Sequence, residues 1–258
     1  MMIRIESCGR TDVGLHRSNN EDAYVSAPEP GLLALADGMG GAASGEVASG
    51  IFADTVRERF SSGPPSSVEE AEELVRSTFL LANQRIRELA ARAPEHKGMG
   101  CTGEMVVFTD DRYVAGHVGD SRVYLFRGGR LRQVTKDHSF VQEQVDRGLL
   151  TPVQARVHAC RHMLLRAIGI HDSLAVDLIS GKAYPDDLIL LCSDGLTDMV
   201  GDLLIEERLG SDLSLGEKAE RLVRDACDAG GYDNVTIVLG RVLPIEGWVD
   251  SQESSGGG

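Results

Sequence analysis

The chain has 258 residues, of which 42% are hydrophobic, so it is long and apolar enough to bury a sizeable core. It carries 40 acidic and 26 basic side chains, which gives a formal net charge of −14. Because nucleic acids and anionic membranes would repel such a chain, this balance argues against both as main partners. No apolar run approaches the roughly 20 residues that a transmembrane helix needs. The five cysteines form no Cys-x-x-Cys pair and the N-terminus has no leader pattern, so the sequence predicts a cytoplasmic protein with reduced thiols.

The first part of the chain predicts a buried strand and two helices. Residues 31–36 are a short apolar run of the kind that forms a buried strand. Apolar residues then recur at helical spacing from near Ser44. A second helix opens at Ser67 with a capping-box pattern that includes Glu70, and it ends before Pro94.

The rest of the chain predicts hairpins followed by further helices. Turn residues separate two pairs of short apolar runs, which is a hairpin signal: 105–109 with 113–118, and 123–126 with 131–134. Residues 139–159 have a helical pattern, with Thr151 before a proline as a helix start. A further helical stretch near 217–226 lies between apolar runs at 188–192 and 235–239. Because helices enclose the hairpins, this order favours antiparallel sheets covered by helices over a regular βαβ alternation.

Four aspartates lie where strand-like apolar runs end or begin: Asp37, Asp120, Asp194 and Asp233. At such positions a rigid scaffold can bring carboxylates together, although an Asp-Gly pair taken alone is most often a turn. Clustered carboxylates repel one another unless cations neutralise them. All-oxygen ligation favours Mg²⁺ or Mn²⁺ over Zn²⁺, and Gly38 leaves room for a metal to take a backbone carbonyl as well.

Seven short motifs follow one another from about residue 11 to residue 242. In chain order they lie at 17–22 (RSNNED), 37–41 (DGMGG), 45–46 (GE), 119–122 (GDSR), 137–139 (DHS), 193–196 (SDGL) and 233–236 (DNVT). Together they resemble the metal-dependent protein phosphatase family, of the protein phosphatase 2C type, in its compact bacterial form. The resemblance implies an α+β fold, a four-layer α-β-β-α sandwich with two central antiparallel β-sheets flanked by helices.

The resemblance also implies how the chain is divided. A single catalytic domain is expected over residues 1–243. Within it, residues of about 139–161 correspond to a flap beside the active site that influences substrate choice. Residues 244–258 are expected to form a C-terminal tail with a polar, glycine-rich end at 254–258 that is mobile.

A two-metal centre follows from the same resemblance, with two Mn²⁺ or Mg²⁺ ions and a weaker third ion. In the family pattern Asp37 bridges both ions, and the carbonyl of Gly38 helps to hold one of them. Asp194 and Asp233 complete the protein ligands of the other ion. Asp120 together with Asp194 matches the weaker third site.

Three further positions match residues that act around the metals. Glu21 and Asp22 match acids that hold metal-bound waters. Arg17 matches the arginine that grips the substrate phosphate, a role that suits a planar guanidinium able to meet two phosphate oxygens. Arg17 and Asp37 are therefore the expected catalytic residues. Because a water shared by two cations loses a proton near neutral pH, it can attack phosphorus directly, and no phospho-enzyme is expected.

The expected function is that of a serine/threonine phosphoprotein phosphatase. It would act as a monomer on phosphoserine and phosphothreonine proteins and reverse phosphorylation by a partner kinase. Met39 stands where many eukaryotic relatives have a histidine, and a thioether cannot protonate the leaving oxygen, so the general acid stays open. The alternative is a non-catalytic pseudophosphatase that binds phosphoproteins, but retention of the whole metal-ligand set favours the enzyme.

Two other patterns point to different chemistry. The glycines from Gly38 onward fit the G-x-G-x-x-A pattern of dinucleotide-binding folds, but the helix that follows leads into another helix and not into a second strand. His158 and His162, four residues apart, could place a transition metal on one face of a helix. Incidental histidines in a flap segment are the favoured interpretation.

Overall fold

The computed structural model describes residues 3–29, 31–40, 44–61 and 63–244. The expected C-terminal tail lies outside the described residues from position 245 onward. Within the described part, no helix combines the length and the apolar character that crossing a membrane requires.

Strands and helices alternate along the chain largely as predicted. The strands are β1 (Ile5–Asp12), β2 (Asp22–Ala27), β3 (Leu32–Met39), β4 (Gly100–Cys101), β5 (Gly103–Thr109), β6 (Arg112–Val118), β7 (Arg122–Arg127), β8 (Arg130–Gln133), β9 (Asp177–Lys182), β10 (Leu188–Cys192) and β11 (Val235–Val242). The helices are α1 (Gly45–Arg59), α2 (Val68–Arg92), α3 (Phe140–Asp146), α4 (Pro152–Arg156), α5 (Asp194–Thr197), α6 (Asp202–Leu209) and α7 (Leu215–Asp228), with a 3-10 turn at Pro94–His96.

Two antiparallel sheets stack face to face with helices outside them. One sheet has the order β1-β11-β10-β7-β8, and the other has the order β2-β3-β5-β6-β9 with β4 paired to β3. Helices α1 and α2 pack on the second sheet, and α5, α6 and α7 pack on the first. Between the sheets lies a separate apolar layer that includes Leu33, Val106 and Leu191. The predicted four-layer sandwich is therefore confirmed.

The long helix α2 shows how an outer layer is held. The Ser67 hydroxyl accepts a hydrogen bond from the Glu70 backbone N–H, as predicted, but the Glu70 carboxylate accepts from Ser66 instead of Ser67. Val75 is fully buried against Gly116 of β6, where an added Cβ would lie 2.4 Å from the Val75 side chain. Glycine at 116 thus allows the helix to approach the sheet closely.

The helical pattern at 139–159 forms two short helices, α3 and α4, separated by a turn. Gly148 in that turn has φ +70°, and Thr151 caps α4 in a capping box completed by Gln154. Because α4 ends at Arg156, His158 and His162 do not share a helix face. The transition-metal alternative for these histidines is therefore wrong.

The structure also bears on the dinucleotide-binding alternative and on the state of the cysteines. Strand β3 pairs antiparallel with both β2 and β5, whereas a dinucleotide-binding fold needs a parallel sheet, so that alternative is also wrong. The cysteines at 8, 101, 160, 192 and 227 are all free thiols, as predicted.

Candidate active site

The predicted site residues come from strand ends that meet at one end of the sandwich. Asp37 lies near the end of β3, Asp194 follows β10, and Asp233 precedes β11. Because β10 and β11 are antiparallel neighbours, the last residues of β10 and the first residues of β11 lie at the same end of the sheet. A cavity of about 580 Å³ opens there, and its lining includes Arg17, Glu21, Asp37, Gly38, Asp120, Asp194 and Asp233. Asp22 lies beside this group as the register partner of Asp37.

The carboxylates of this cluster oppose one another's ionisation. Burial, reinforced by neighbouring carboxylates, raises the pKa of Asp37 and of Asp120 well above the ordinary range. Burial also raises the pKa of Asp22 to about 7. The pKa of Glu21 is raised by burial and by the negative charge of Glu46. A site of this kind is costly to keep ionised, and bound cations would remove that cost.

Several carboxylate oxygens at the site accept no hydrogen bond. Within the described residues, Oδ1 of Asp22, Oδ1 of Asp194 and Oε2 of Glu46 are buried and have no partner. A buried acceptor without a partner is costly, and in native proteins it calls for a specific explanation such as an ion. An all-oxygen donor set of high negative charge fits hard divalent cations such as Mn²⁺ and Mg²⁺.

Gly38 lies where three backbone segments converge. Its N–H donates to the Glu21 carbonyl at 3.0 Å. An added Cβ would lie 2.2 Å from the Gly45 carbonyl oxygen and 2.5 Å from that of Glu21, so only glycine fits. The close approach of α1 and β2 therefore requires this residue, in addition to the room that the sequence pattern indicated for a metal.

Thr102, the residue between β4 and β5, holds the Asp37 backbone, and the sequence analysis did not identify this role. The Asp37 N–H donates to Thr102 Oγ1 at 2.9 Å, and the Thr102 N–H donates to the Asp37 carbonyl at 2.8 Å. A hydrogen bond of 2.8 Å joins the Thr102 hydroxyl to that of Ser121, which follows Asp120. These contacts couple the backbone at Asp37 to the turn that carries Asp120.

Asn234, like Thr102, positions other residues of the site. The sequence analysis included it in the motif at 233–236 but did not predict this role. Its side chain is buried and bonds three points of the N-terminal segment. Oδ1 accepts from the Glu21 N–H at 2.8 Å, and Nδ2 donates to the carbonyls of Val13 and Asn19 at 3.0 and 2.9 Å. Asn234 therefore fixes the segment that carries Arg17 and Glu21 against the start of β11.

Arg17 lies at the rim of the cavity with its side chain 50% exposed. One Nη donates to Oδ2 of Asp233 at 2.7 Å, the only side-chain hydrogen bond of Arg17 within the described residues. A guanidinium has five N–H donors, so this contact leaves others that can meet a ligand in the cavity. The role of Arg17 as a phosphate contact stays a prediction.

The DHS motif at 137–139 has a structural role that the sequence did not reveal. Asp137 accepts two hydrogen bonds from Arg122, at 2.8 and 2.7 Å. Burial, together with the neighbouring His117, lowers the pKa of His138 to about 4, so its ring is neutral. The free Nδ1 of that ring accepts from the Gly119 N–H at 3.1 Å, and the His138 backbone N–H donates to the Gly119 carbonyl at 2.7 Å. The motif thus holds the turn before Asp120.

Met39 and His162 are among the non-acidic side chains that line the cavity. Met39 has no proton to donate, as the sequence indicated. His162 comes from the segment after α4, and its Nδ1 lies 3.9 Å from Asp194 and 3.8 Å from Asp198. The nearby Asp194 carboxylate raises the pKa of this histidine above its ordinary value.

Comparison with known proteins places this geometry in a family. The family model described as protein phosphatase 2C matches residues 16–229. Protein phosphatase PhpP of Streptococcus pneumoniae is 36% identical over 232 residues, which cover 89% of this chain and 94% of that protein. Serine/threonine protein phosphatase PstP of Mycobacterium tuberculosis is 40% identical over 238 residues, which cover 92% of this chain and 45% of that longer protein.

A solved structure of similar fold contains bound metal. The catalytic domain of serine/threonine protein phosphatase PstP, in complex with two manganese ions, superposes with a TM-score of 0.86 at 37% identity. The match covers 94% of this chain and 100% of that chain.

Proposed function

The chain belongs to the protein phosphatase 2C family, and from that premise we propose that it removes phosphate from serine and threonine side chains of phosphoproteins in a metal-dependent reaction. The observation that carries this proposal is the convergence of acidic side chains and one arginine on a single cavity. The alternative of a non-catalytic pseudophosphatase is not supported. The relatives over most of the chain are phosphatases, and the acid set is complete.

The proposed metal ligands are the residues at the strand ends. Asp37 would bridge two divalent cations, the Gly38 carbonyl would help to hold one, and Asp194 and Asp233 would hold the other. Within the described residues the buried Oδ1 of Asp194 has no hydrogen-bond partner, and this observation and the raised pKa of Asp37 support the assignment. Asp120 with Asp194 would hold a weaker third ion. We propose Mn²⁺ or Mg²⁺ for these positions, because the donors are all oxygens.

The chemistry that two divalent cations supply in such a site is activation of water and neutralisation of phosphate charge. The side chains of the protein supply orientation. Arg17 presents a planar set of donors to the phosphate oxygens, which favours the in-line geometry that phosphoryl transfer needs. Glu21 and Asp22 supply acceptors that orient water. Thr102 and Asn234 fix these groups by hydrogen bonds, so little reorganisation is needed during the reaction.

We also propose a source of substrate, a compartment and an oligomeric state for the enzyme. The substrates would be products of a cognate serine/threonine kinase, since a phosphoprotein phosphatase needs a kinase to supply them. The free cysteine thiols suit a reducing cytoplasm. We further propose that the enzyme acts as a monomer, with residues 1–243 as the catalytic domain and 139–161 as its flap.

The proposal is tested by measuring hydrolysis of p-nitrophenyl phosphate and of a phosphothreonine peptide with Mn²⁺, with Mg²⁺ and with EDTA. Turnover of both substrates is expected with metal, and its loss is expected in EDTA. A folded protein that binds Mn²⁺ but turns over neither substrate would overturn the proposed function.

Replacing Arg17 by Ala is expected to raise KM for p-nitrophenyl phosphate by about tenfold to a hundredfold, since one or two charge-assisted hydrogen bonds to phosphate are lost. Arg17→Lys keeps the charge but not the planar fork, so an intermediate KM is expected. Arg57→Ala is the matched control, because Arg57 is 54% exposed and pairs with Asp54 on α1. Steady-state kinetics of the three variants checks the role, and an unchanged KM in Arg17→Ala would refute it.

A further inference from the structure

Leu15, His16 and Tyr232 form an exposed patch beside the candidate active site, which we call the rim patch. Leu15 is 68% exposed and Tyr232 is 62% exposed. The His16 imidazole stacks on the Tyr232 ring, with ring centroids 4.7 Å apart and an interplanar angle of 25°. Clustered exposed apolar side chains mark interaction sites, whereas isolated ones are ordinary surface.

Backbone contacts hold the rim patch in a fixed position. The Leu15 N–H donates to the Gly231 carbonyl at 2.7 Å, which joins the two segments of the patch. Gly14 has φ +76°, and an added Cβ there would lie 2.3 Å from the Asp233 carbonyl oxygen. The segments therefore touch along their backbones. Because the patch is already ordered, a ligand that binds it does not have to order it first.

The rim patch is continuous with the candidate active site. Arg17 is two residues after Leu15, and Asp233 directly follows Tyr232. Tyr232 lines a cavity of about 180 Å³ that Arg17, Asp194 and Met199 also line. A phosphoprotein whose phosphate reaches Arg17 brings the side chains next to its phosphorylated residue to this rim.

We propose that the rim patch is a docking surface for the phosphoprotein substrate and selects an apolar side chain close to the phosphorylated serine or threonine. This inference rests on the proposed function, which supplies the occupant. Leu15 offers aliphatic surface, and the stacked rings of His16 and Tyr232 offer a flat face to an aliphatic or aromatic side chain. An acidic side chain would lose hydration against these apolar surfaces, which disfavours it at the same position.

The test uses a set of phosphothreonine peptides in which one flanking position at a time is varied. Each varied position carries Phe, Ser or Asp, and the rest of the peptide is unchanged. For at least one position, kcat/KM with Phe is expected to exceed kcat/KM with Ser by about tenfold, which corresponds to burial of one large apolar side chain. Asp is expected to give the lowest value. In Leu15→Ser and in Tyr232→Ser, the Phe-to-Ser ratio is expected to fall close to one.

Leu203→Ser is the matched control, because Leu203 is 85% exposed on α6 and does not belong to the rim patch. It should keep the full Phe-to-Ser ratio.

Hydrolysis of p-nitrophenyl phosphate separates the two proposals, since this substrate has no flanking residues. Suppose that the protein hydrolyses that compound in a metal-dependent way. The docking surface alone would then be overturned if the peptides showed no Phe-to-Ser preference, or if the preference persisted in both Leu15→Ser and Tyr232→Ser. Absence of turnover would overturn both. A Leu15-dependent dimer without peptide preference would assign the patch to a second copy of the chain.

Discussion

Replacing Asp194 by Asn is expected to lower kcat for p-nitrophenyl phosphate by about a thousandfold or more, as loss of a main electrostatic contributor to a transition state does. The carboxylate is 20% exposed, and within the described residues its Oδ1 accepts no hydrogen bond. An amide has the same shape but not the charge that a cation needs. Because Asp194 raises the pKa of both Asp37 and Asp120, its removal also relieves repulsion in the metal-free protein. The metal-free variant should therefore be at least as stable as the wild type.

Asp187 provides a matched control at the opposite end of the same strand, β10. Its side chain is 2% exposed and accepts hydrogen bonds from Arg127 at 2.7 and 2.6 Å. Asp187→Asn should cost about 1–3 kcal/mol of stability through this lost pairing but should leave kcat unchanged. Asp194→Asn should show the reverse pattern. Calorimetric Mn²⁺ titration, thermal unfolding and steady-state kinetics on both variants give the comparison, and Mn²⁺ binding by Asp194→Asn equal to that of the wild type would refute the assignment.

The parts of the fold that the sequence predicted are those with local signals. Strands β3, β10 and β11 are almost continuously buried and appear as unbroken apolar runs. The strands β1, β2 and β9, which the sequence analysis did not predict, are all edge strands in the observed sheets. An edge strand lies at the border of the covered sheet, where water reaches some of its side chains. Polar and apolar residues therefore both occur in it, and no continuous apolar run marks it in the sequence. The edge strand β8 was predicted only because the glycine pair before it indicates a hairpin.

The acidic residues of the site were recognised from motifs, whereas the residues that position them were not. Asn234 bonds Glu21 across 213 positions of sequence, and Thr102 bonds Asp37 across 65. A threonine or an asparagine is an ordinary residue in a loop or strand, and its role here exists only because the fold brings distant segments into contact. His138 shows the same limit, since its motif was visible but its contact with Gly119 was not.

A second large effect is expected from a buried pair that takes no part in the proposed chemistry, Glu104 of β5 and His117 of β6. The two residues face each other in register, both side chains are 0% exposed, and His117 Nδ1 lies 2.6 Å from Glu104 Oε1. The other ring nitrogen donates to the Lys136 carbonyl at 2.8 Å and so carries a hydrogen. One further proton must therefore lie between His117 and Glu104, whichever group formally holds it.

The pKa shifts of both partners have the same sign. Burial raises the pKa of Glu104 to about 7. Burial alone would lower the pKa of His117, but the charge and hydrogen bond of Glu104 outweigh it and raise that pKa. Asp137 and Asp177 add negative potential, and the adjacent His138 ring is neutral. In the unfolded chain these groups titrate near their ordinary pKa values of about 4.3 and about 6.5. Above the second value, the folded protein binds one more proton than the unfolded chain.

The pair should therefore make the free energy of unfolding fall as pH rises above about 6.5, by up to about 1.4 kcal/mol per pH unit, until the folded pair releases its proton. Glu104→Gln can still hydrogen-bond a neutral histidine but takes up no proton, so it should lose this part of the slope. His117→Ala leaves a buried carboxyl group without its partner and should cost about 3–5 kcal/mol. Urea denaturation of the three proteins between pH 6 and 9 measures both effects, and equal slopes for the wild type and Glu104→Gln would contradict the shared proton.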